Sequence, residues 1–499
     1  MTVLGPQDVG MPPDRRAGIL LHPTSLPGPY GVGDIGPVAR AWLGWLESAG
    51  QRIWQMLPIH PTDRHGSPYA SPSAFAGASL LLSIDDLVAE GWLRHGEKPW
   101  GTGAPDRVRW ADVWRRKGAA VGLAADRVVA AGVDLAGFAA SRPWLKDWAR
   151  YTAAAAVHGP SWTAWPEALA QRDADALTAL DASTAAAQDR AIALEWLFDR
   201  QWTALRAEAA RRGVALIGDV PIFVGGHAAD VWSHPTLFRL DARGRPTVET
   251  GVPPDAFTVA GQRWGTPHYD VSAHAASGYA WWVDRLAAEV ARFDEVRIDH
   301  FRGLAAAWEV PVDGAPVDGR WTPGLGAGLL TAARARLGRL PFLAEDLGVI
   351  TPDVEALRDD FGLRGMAILQ FGFADARRAP DHAYLPHRHR PHLVVYPGTH
   401  DNAPVAAWYA QADEPTRDHF RRYTRTDGKH PASTMLRLAW RSVADTVVCS
   451  WQDVLGLGAE ARMNTPGVAE GNWAWRTTAD TFSLPLADLL AEEARLSGR

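Results

Sequence analysis

The stretch WWVDRLAAEVARFDEVRIDHFR, residues 281–302, decides the fold. In its first part Trp282, Leu286, Val290 and Phe293 fall on one face at helical spacing, the pattern of a helix laid against a core. Its second part, Val296 to Arg302, is a short run rich in β-branched and apolar residues that ends in polar sequence. Runs of the same kind recur at Ala17 to Leu21, Arg52 to Ile59, Val214 to Val224, Pro341 to Leu347, Met366 to Phe373, Leu393 to Asn402 and Asp445 to Trp451. Near-continuous apolar runs are expected for parallel strands covered on both faces. Helix–strand alternation with about eight strands predicts an α/β fold, a (β/α)8 TIM barrel. A doubly wound sheet stays open on pattern alone.

Between the second and third runs lie residues 85–212, rich in Ala, Leu and Arg, with repeated Trp and helical periodicity. That connection is too long for a loop. It is expected to be a mainly helical subdomain inserted between strands 2 and 3. The barrel would then comprise residues 17–84 and 213–476, with C-terminal helices to 499. A Gly- and Pro-rich stretch, 311–328, is expected as an irregular insertion beside the cleft.

Composition narrows the function classes. Apolar residues make up 47% and charged residues 22% of the 499, as in ordinary globular proteins. A net charge of −6 argues against nucleic acid or an anionic membrane as partner. Cys449 is the only cysteine, so no intramolecular disulfide or cysteine zinc cluster can form. With no secretory h-region and no run long enough to span a bilayer, the cytoplasm is the expected location. The 24 Trp residues are read mostly as core filler, a few as flat platforms for sugar rings.

Barrel enzymes place their chemistry at the C-terminal ends of strands. Four candidate strands carry carboxylates there: Asp219, Asp299, the Glu345-Asp346 pair and Asp401. One carboxylate at a buried strand end could be a salt bridge or helix cap. Four converging on one rim favour function. The residue types suit cleavage of a glycosidic bond, which needs an acid for the departing oxygen and a carboxylate facing the anomeric carbon. No Cys–His pair or recognisable serine triad competes for that role.

At these residues the chain resembles the 4-α-glucanotransferases (amylomaltase, or disproportionating enzyme), a branch of the α-amylase clan. The resemblance runs from about Gly18 to Arg476. It rests on HPTSLPGPYGVGDIG (22–36), QRIWQMLPIHPT (51–62), SPYASPSAFAG (67–77), IGDVPIFV (217–224), ADVW (229–232), GVPPDAF (251–257), GQRWGTP (261–267), VRIDHFRG (296–303), AEDLG (344–348), YPGTHDN (396–402) and ARMNTPGVAEGNWAWR (461–476). It implies a (β/α)8 barrel with helical insertions, Asp299 as nucleophile, Glu345 as acid/base and Asp401 as the third carboxylate, gripping hydroxyls of the sugar at the cleaved bond. The implied reaction moves a segment of an α-1,4-glucan to the 4-hydroxyl of an acceptor glucan or glucose through a covalent glucosyl–Asp299. Retention by double displacement places the two reacting carboxyl groups about 5 Å apart.

Around this trio, Arg297 shares a strand face with Asp299 and can hold it ionised. His400 and Asn402 flank Asp401, and Asp219 is expected to support the donor subsite. Tyr69 is a further subsite candidate. Phe257 and Trp264, in the stretch 250–268 expected to arch over the cleft, are read as platforms for acceptor rings. No cofactor and no metal are expected, and the partners are α-1,4-glucans and maltooligosaccharides. Oligomeric state is not readable.

Several positions depart from the family pattern. Ala403-Pro404-Val405-Ala406-Ala407 follows THDN, where the family has Asp-Thr and then Gly-Trp. Ala256, Ala78 and Thr266 replace a tyrosine and two asparagines. All spare the three carboxylates and touch the subsite walls. Gly31-Val32-Gly33-Asp34-Ile35-Gly36 fits the dinucleotide fingerprint, but no strand runs into it and no acidic residue sits at the expected distance, so it is read as a rim loop. His387, His389 and His392 alternate with Arg and Pro and are read as a solvated loop, not a metal site.

Overall fold

The computed structural model describes residues 15–99, 104–254, 260–374, 381–468 and 470–499. Eight parallel strands form the central sheet: β1 (Arg16–Leu20), β2 (Ile53–Gln55), β3 (Ala215–Val220), β6 (Glu295–Ile298), β9 (Phe342–Ala344), β10 (Gly365–Ile368), β11 (Leu393–Tyr396) and β12 (Thr446–Ser450). They run in the order β10-β11-β12-β1-β2-β3-β6-β9. A parallel bridge from Leu343 to Arg364 joins the two ends, with Ala344 N–H donating to the Arg364 carbonyl at 2.8 Å. The sheet is therefore a nearly closed barrel with helices around it, the (β/α)8 architecture the alternation predicts, and the doubly wound alternative falls.

The strands are shorter than the apolar runs that announced them. The run at 366–373 stops being strand at Ile368 and continues as the helix Leu369–Ala374. Both halves are buried, and burial on all sides erases the period that would tell strand from helix.

Between β2 and β3 the described chain contains helices and no strand. Ala174–Arg211, bent where Thr184 leaves helical geometry, packs against the helices Trp110–Ala130 and Pro143–His158. Among the described residues no helix is long and apolar enough to cross a membrane.

A second sheet, invisible to the strand–helix pattern, sits on the loops after β3 and β6. It is antiparallel, in the order β5-β4-β7-β8, from β4 (Val248–Val252), β5 (Gln262–Pro267), β7 (Ala306–Pro311) and β8 (Arg320–Pro323). The stretch 311–328 is therefore not simply irregular. Its Gly and Pro residues mark the turn and flanks of a hairpin, and Trp308 packs edge-on against Trp321 across the strands at 5.0 Å, a cross-strand pair of the kind that fixes register. Glycines of the 31–36 stretch serve packing: a Cβ on Gly33 would lie 2.0 Å from the Pro23 carbonyl. The stretch is a loop leading to the helix Pro37–Ser48, as its flanks predict.

Candidate active site

The barrel delivers its polar side chains to one mouth by strand register. Asp219 pairs with Arg297 across β3 and β6, and Ile298 with Ala344 across β6 and β9. Asp299 and Glu345 follow immediately, with Asp299 N–H bonded to Val220 and Glu345 N–H to Ile298.

Arg297 is the hub. Its Nη1 donates to both carboxylate oxygens of Asp219, at 2.9 and 2.7 Å, and its Nη2 lies 2.8 Å from Asp299 Oδ1. The Asp219 side chain is 1% exposed and that of Asp299 27%. Asp219 therefore anchors the arginine from beneath, and Asp299 faces the open mouth. Glu345 is buried, and its Oε2 accepts the His300 backbone N–H at 2.7 Å. His300 reaches that geometry with a left-handed backbone, φ 48°, a conformation costly for a residue with a Cβ and found where surroundings enforce it.

The charges do not balance here. Burial pushes Glu345 well above the usual carboxylate range, with Arg297 opposing and Asp299 reinforcing. Burial also raises Asp299, although Arg297 pulls it down. Burial lifts Asp219 to about 7 against the same arginine. Arg297 would be lowered by burial, but Asp219 and Asp299 hold it well above its ordinary value. Two carboxyl groups in unlike surroundings, one ion-paired and one touched only by a backbone N–H among the described hydrogen bonds, are the pattern of a carboxylate beside a carboxylic acid.

Asp401, 26% exposed, enters from the loop after β11. Asn464 Nδ2 donates to its Oδ1 at 2.6 Å, and Arg462 Nη2 to its carbonyl at 2.8 Å. His400 is buried, its Nε2 lying 3.0 Å from Tyr69 Oη and 3.5 Å from Asp401 Oδ1. Burial lowers the His400 pKa, keeping the ring neutral. Tyr69 donates to Asp219 Oδ2 at 2.7 Å and stacks on His400 at 5.4 Å and 7°. Asn402 turns back into its own loop, its Oδ1 accepting from Thr399 N and Oγ1.

Trp264, on β5, sets its ring at right angles to His300 at 5.0 Å and stays half-exposed. Phe257, and the departure at Ala256, lie outside the described residues. The Thr266 hydroxyl bonds that of Thr250. Ala403 offers its carbonyl to Gln370, and Val405 N–H meets Asp453, so the altered segment after Asn402 is held through its backbone. Glu345's neighbour Asp346 is structural, bonded by Arg358 and by Met366 N–H. No group of three or more His, Cys, Asp or Glu able to hold a metal occurs among the described residues.

Four further residues bear on the site: Asn464, Arg462, Trp473 and His300. The first three lie in the 461–476 stretch, whose described residues form no strand and no helix beyond the last residue of the short turn Ala459–Ala461; only its likeness to the family signalled it. Trp473 packs 6.0 Å from His400 and 5.6 Å from Tyr69. His300 was legible as part of VRIDHFRG, but its backbone role was not.

A model described as 4-alpha-glucanotransferase matches residues 21–481. The chain belongs to that family. A 4-alpha-glucanotransferase of Thermus thermophilus is 44% identical over 93% of this chain and 94% of its own length. A chloroplastic/amyloplastic 4-alpha-glucanotransferase of Arabidopsis thaliana is 41% identical over 97% and 86%. The amylomaltase of Streptococcus agalactiae, solved in complex with acarbose, superimposes with a TM-score of 0.94 at 32% identity, covering 97% of this chain and 99% of that one.

Proposed function

We propose that this family member moves segments of α-1,4-glucans between chains by a retaining double displacement at Asp299, Glu345 and Asp401. The observation that carries the assignment is the single guanidinium of Arg297 divided between Asp219 and Asp299 beside an unpaired Glu345. Glu345 donates its proton to the glycosidic oxygen while Asp299 attacks the anomeric carbon. The reducing-end fragment leaves, and glucosyl–Asp299 remains. An acceptor 4-hydroxyl then gives its proton to Glu345 and displaces Asp299. Two inversions retain the α configuration.

Asp401 grips hydroxyls of the sugar at the cleaved bond, with Asn464 fixing its rotamer. Trp264, half-exposed at the mouth, serves as a platform for the acceptor ring, the role the family resemblance also gives to Phe257. The helical segment 85–212 forms a subdomain of its own inserted in the barrel. Donor and acceptor are maltooligosaccharides and longer α-1,4-glucans, and the cytoplasm, where an unpaired Cys449 persists as a thiol, is the place of action.

Incubation with maltotriose tests the reading. Glucose together with maltooligosaccharides longer than the substrate is the expected outcome. Glucose and maltose without longer products would make the enzyme a hydrolase of the same clan.

A further inference from the structure

The hydrogen bonds around Tyr69 are short of protons. Tyr69 Oη stands between Asp219 Oδ2, at 2.7 Å, and His400 Nε2, at 3.0 Å. A phenol has one proton to donate. Asp219, gripped on both oxygens by Arg297, is an acceptor, and it takes that proton. The Tyr69 oxygen can then only accept from His400, so His400 must carry its hydrogen on Nε2.

We infer that Tyr69 is a positioning residue that fixes the tautomer of His400, so that the ring edge nearest Asp401 carries a hydrogen and not a lone pair. The locked hydrogen is donated to the Tyr69 oxygen, and the Nε2 that bears it lies 3.5 Å from Asp401 Oδ1. The other tautomer would put a lone pair there, facing a carboxylate. The stacked arrangement of the rings, 7° from parallel, leaves the imidazole no rotation that escapes the choice without losing the Tyr69 bond. Burial lowers the His400 pKa, so the doubly protonated ring, which would need no lock, is disfavoured at neutral pH. His22 lies near enough to lower its own pKa against His400, after burial, and its buried Nδ1 finds no partner among the described residues. Among the described residues no hydrogen bond joins it to the His400 ring, so Tyr69, with the Asp401 carboxylate at 3.5 Å acting in the same sense, sets the tautomer.

The inference rests on the proposed glucan transfer for its purpose but not for its test, which is made on the unliganded protein. The 15N resonances of His400, assigned by their loss in His400→Gln, report which nitrogen carries hydrogen. An Nε2–H ring is expected in the wild type. In Asp219→Asn the amide oxygen goes to Arg297 and the amide N–H2 faces Tyr69, whose proton then turns to His400 Nε2. The ring should switch to Nδ1–H. Tyr69→Phe removes only the hydroxyl and covers the case in which Asp219→Asn fails to fold; it should give a mixture of tautomers and a kcat on maltotriose lowered about 100-fold, with KM changed much less. A wild-type Nδ1–H ring, or a ring whose tautomer is the same in wild type and variants, overturns the inference. Longer products from maltotriose in the wild type would stand regardless, so the two readings fail separately.

Discussion

Strand β6 carries two ionic clusters, one at each end, and they are built to opposite rules. At its start Glu295 lies between two arginines: Arg16 donates at 2.6 Å, and Arg364 bonds its other oxygen while reaching Thr446 at 2.8 Å and Asp445 at 3.5 Å. At its end Arg297 alone serves Asp219 and Asp299, with Glu345 close by. Burial would raise Glu295, but its two cations reverse the effect and hold it below the ordinary value. At the other end burial wins at all three carboxyl groups. The strand is the same, and so is the kind of residue. The ratio of cations to carboxylates decides whether a buried acid is a rivet or a reagent, and strongly perturbed acids in a cleft mark the latter.

The sharpest way to break this comparison is to neutralise one acid at each end. Asp299→Asn should lower transfer from maltotriose by about 10^4-fold or more, as removal of a nucleophile does, with the thermal midpoint kept or raised because an excess negative charge is gone. Glu295→Gln should do the reverse. It leaves two arginines short of a counter-charge and costs about 3 kcal/mol by denaturant unfolding, with kcat within about two-fold of wild type. A large loss of activity at full stability in Glu295→Gln would erase the distinction.

Acid should separate the ends without mutation. Glu295, depressed, contributes stability above its unfolded value near 4.5, which is lost only as pH falls through its lower folded value. Asp299, raised, takes up its proton earlier in the same descent. Activity should therefore fail first, leaving a folded, inactive protein just above the ordinary carboxylate range. Circular dichroism and a maltotriose assay at matched pH values check the order. On the alkaline side activity should fall as Glu345 loses its proton, well above the usual glutamate range. The smallest effect concerns the acceptor side. Trp264→Ala should raise the fraction of glucosyl–Asp299 taken by water by about three-fold, read as the ratio of glucose to longer products.

The barrel and its reactive rim were legible because both follow from strong local rules. Buried parallel strands read as apolar runs, and Asp219, Asp299, Glu345 and Asp401 each interrupt or end such a run. The β7–β8 hairpin was not legible, since Pro311, Gly314 and Pro316 look the same in a hairpin turn and in a disordered loop. Nor were Asn464 and Arg462. They reach Asp401 from more than 60 residues away, held by a segment with no period to read. His300 shows the subtler limit. A sequence names the side chain, whereas here the backbone N–H meets Glu345.

The barrel's closure adds a mechanical meaning to the rim. Seven of its eight joints are ladders of paired strands, whereas the eighth is the lone bridge from Leu343 to Arg364, with the Ala344 bond beside it. Glu345 is the next residue along the chain from that joint, so the group that must give a proton to one oxygen and take it from another is mounted where the fewest cross-strand bonds close the barrel.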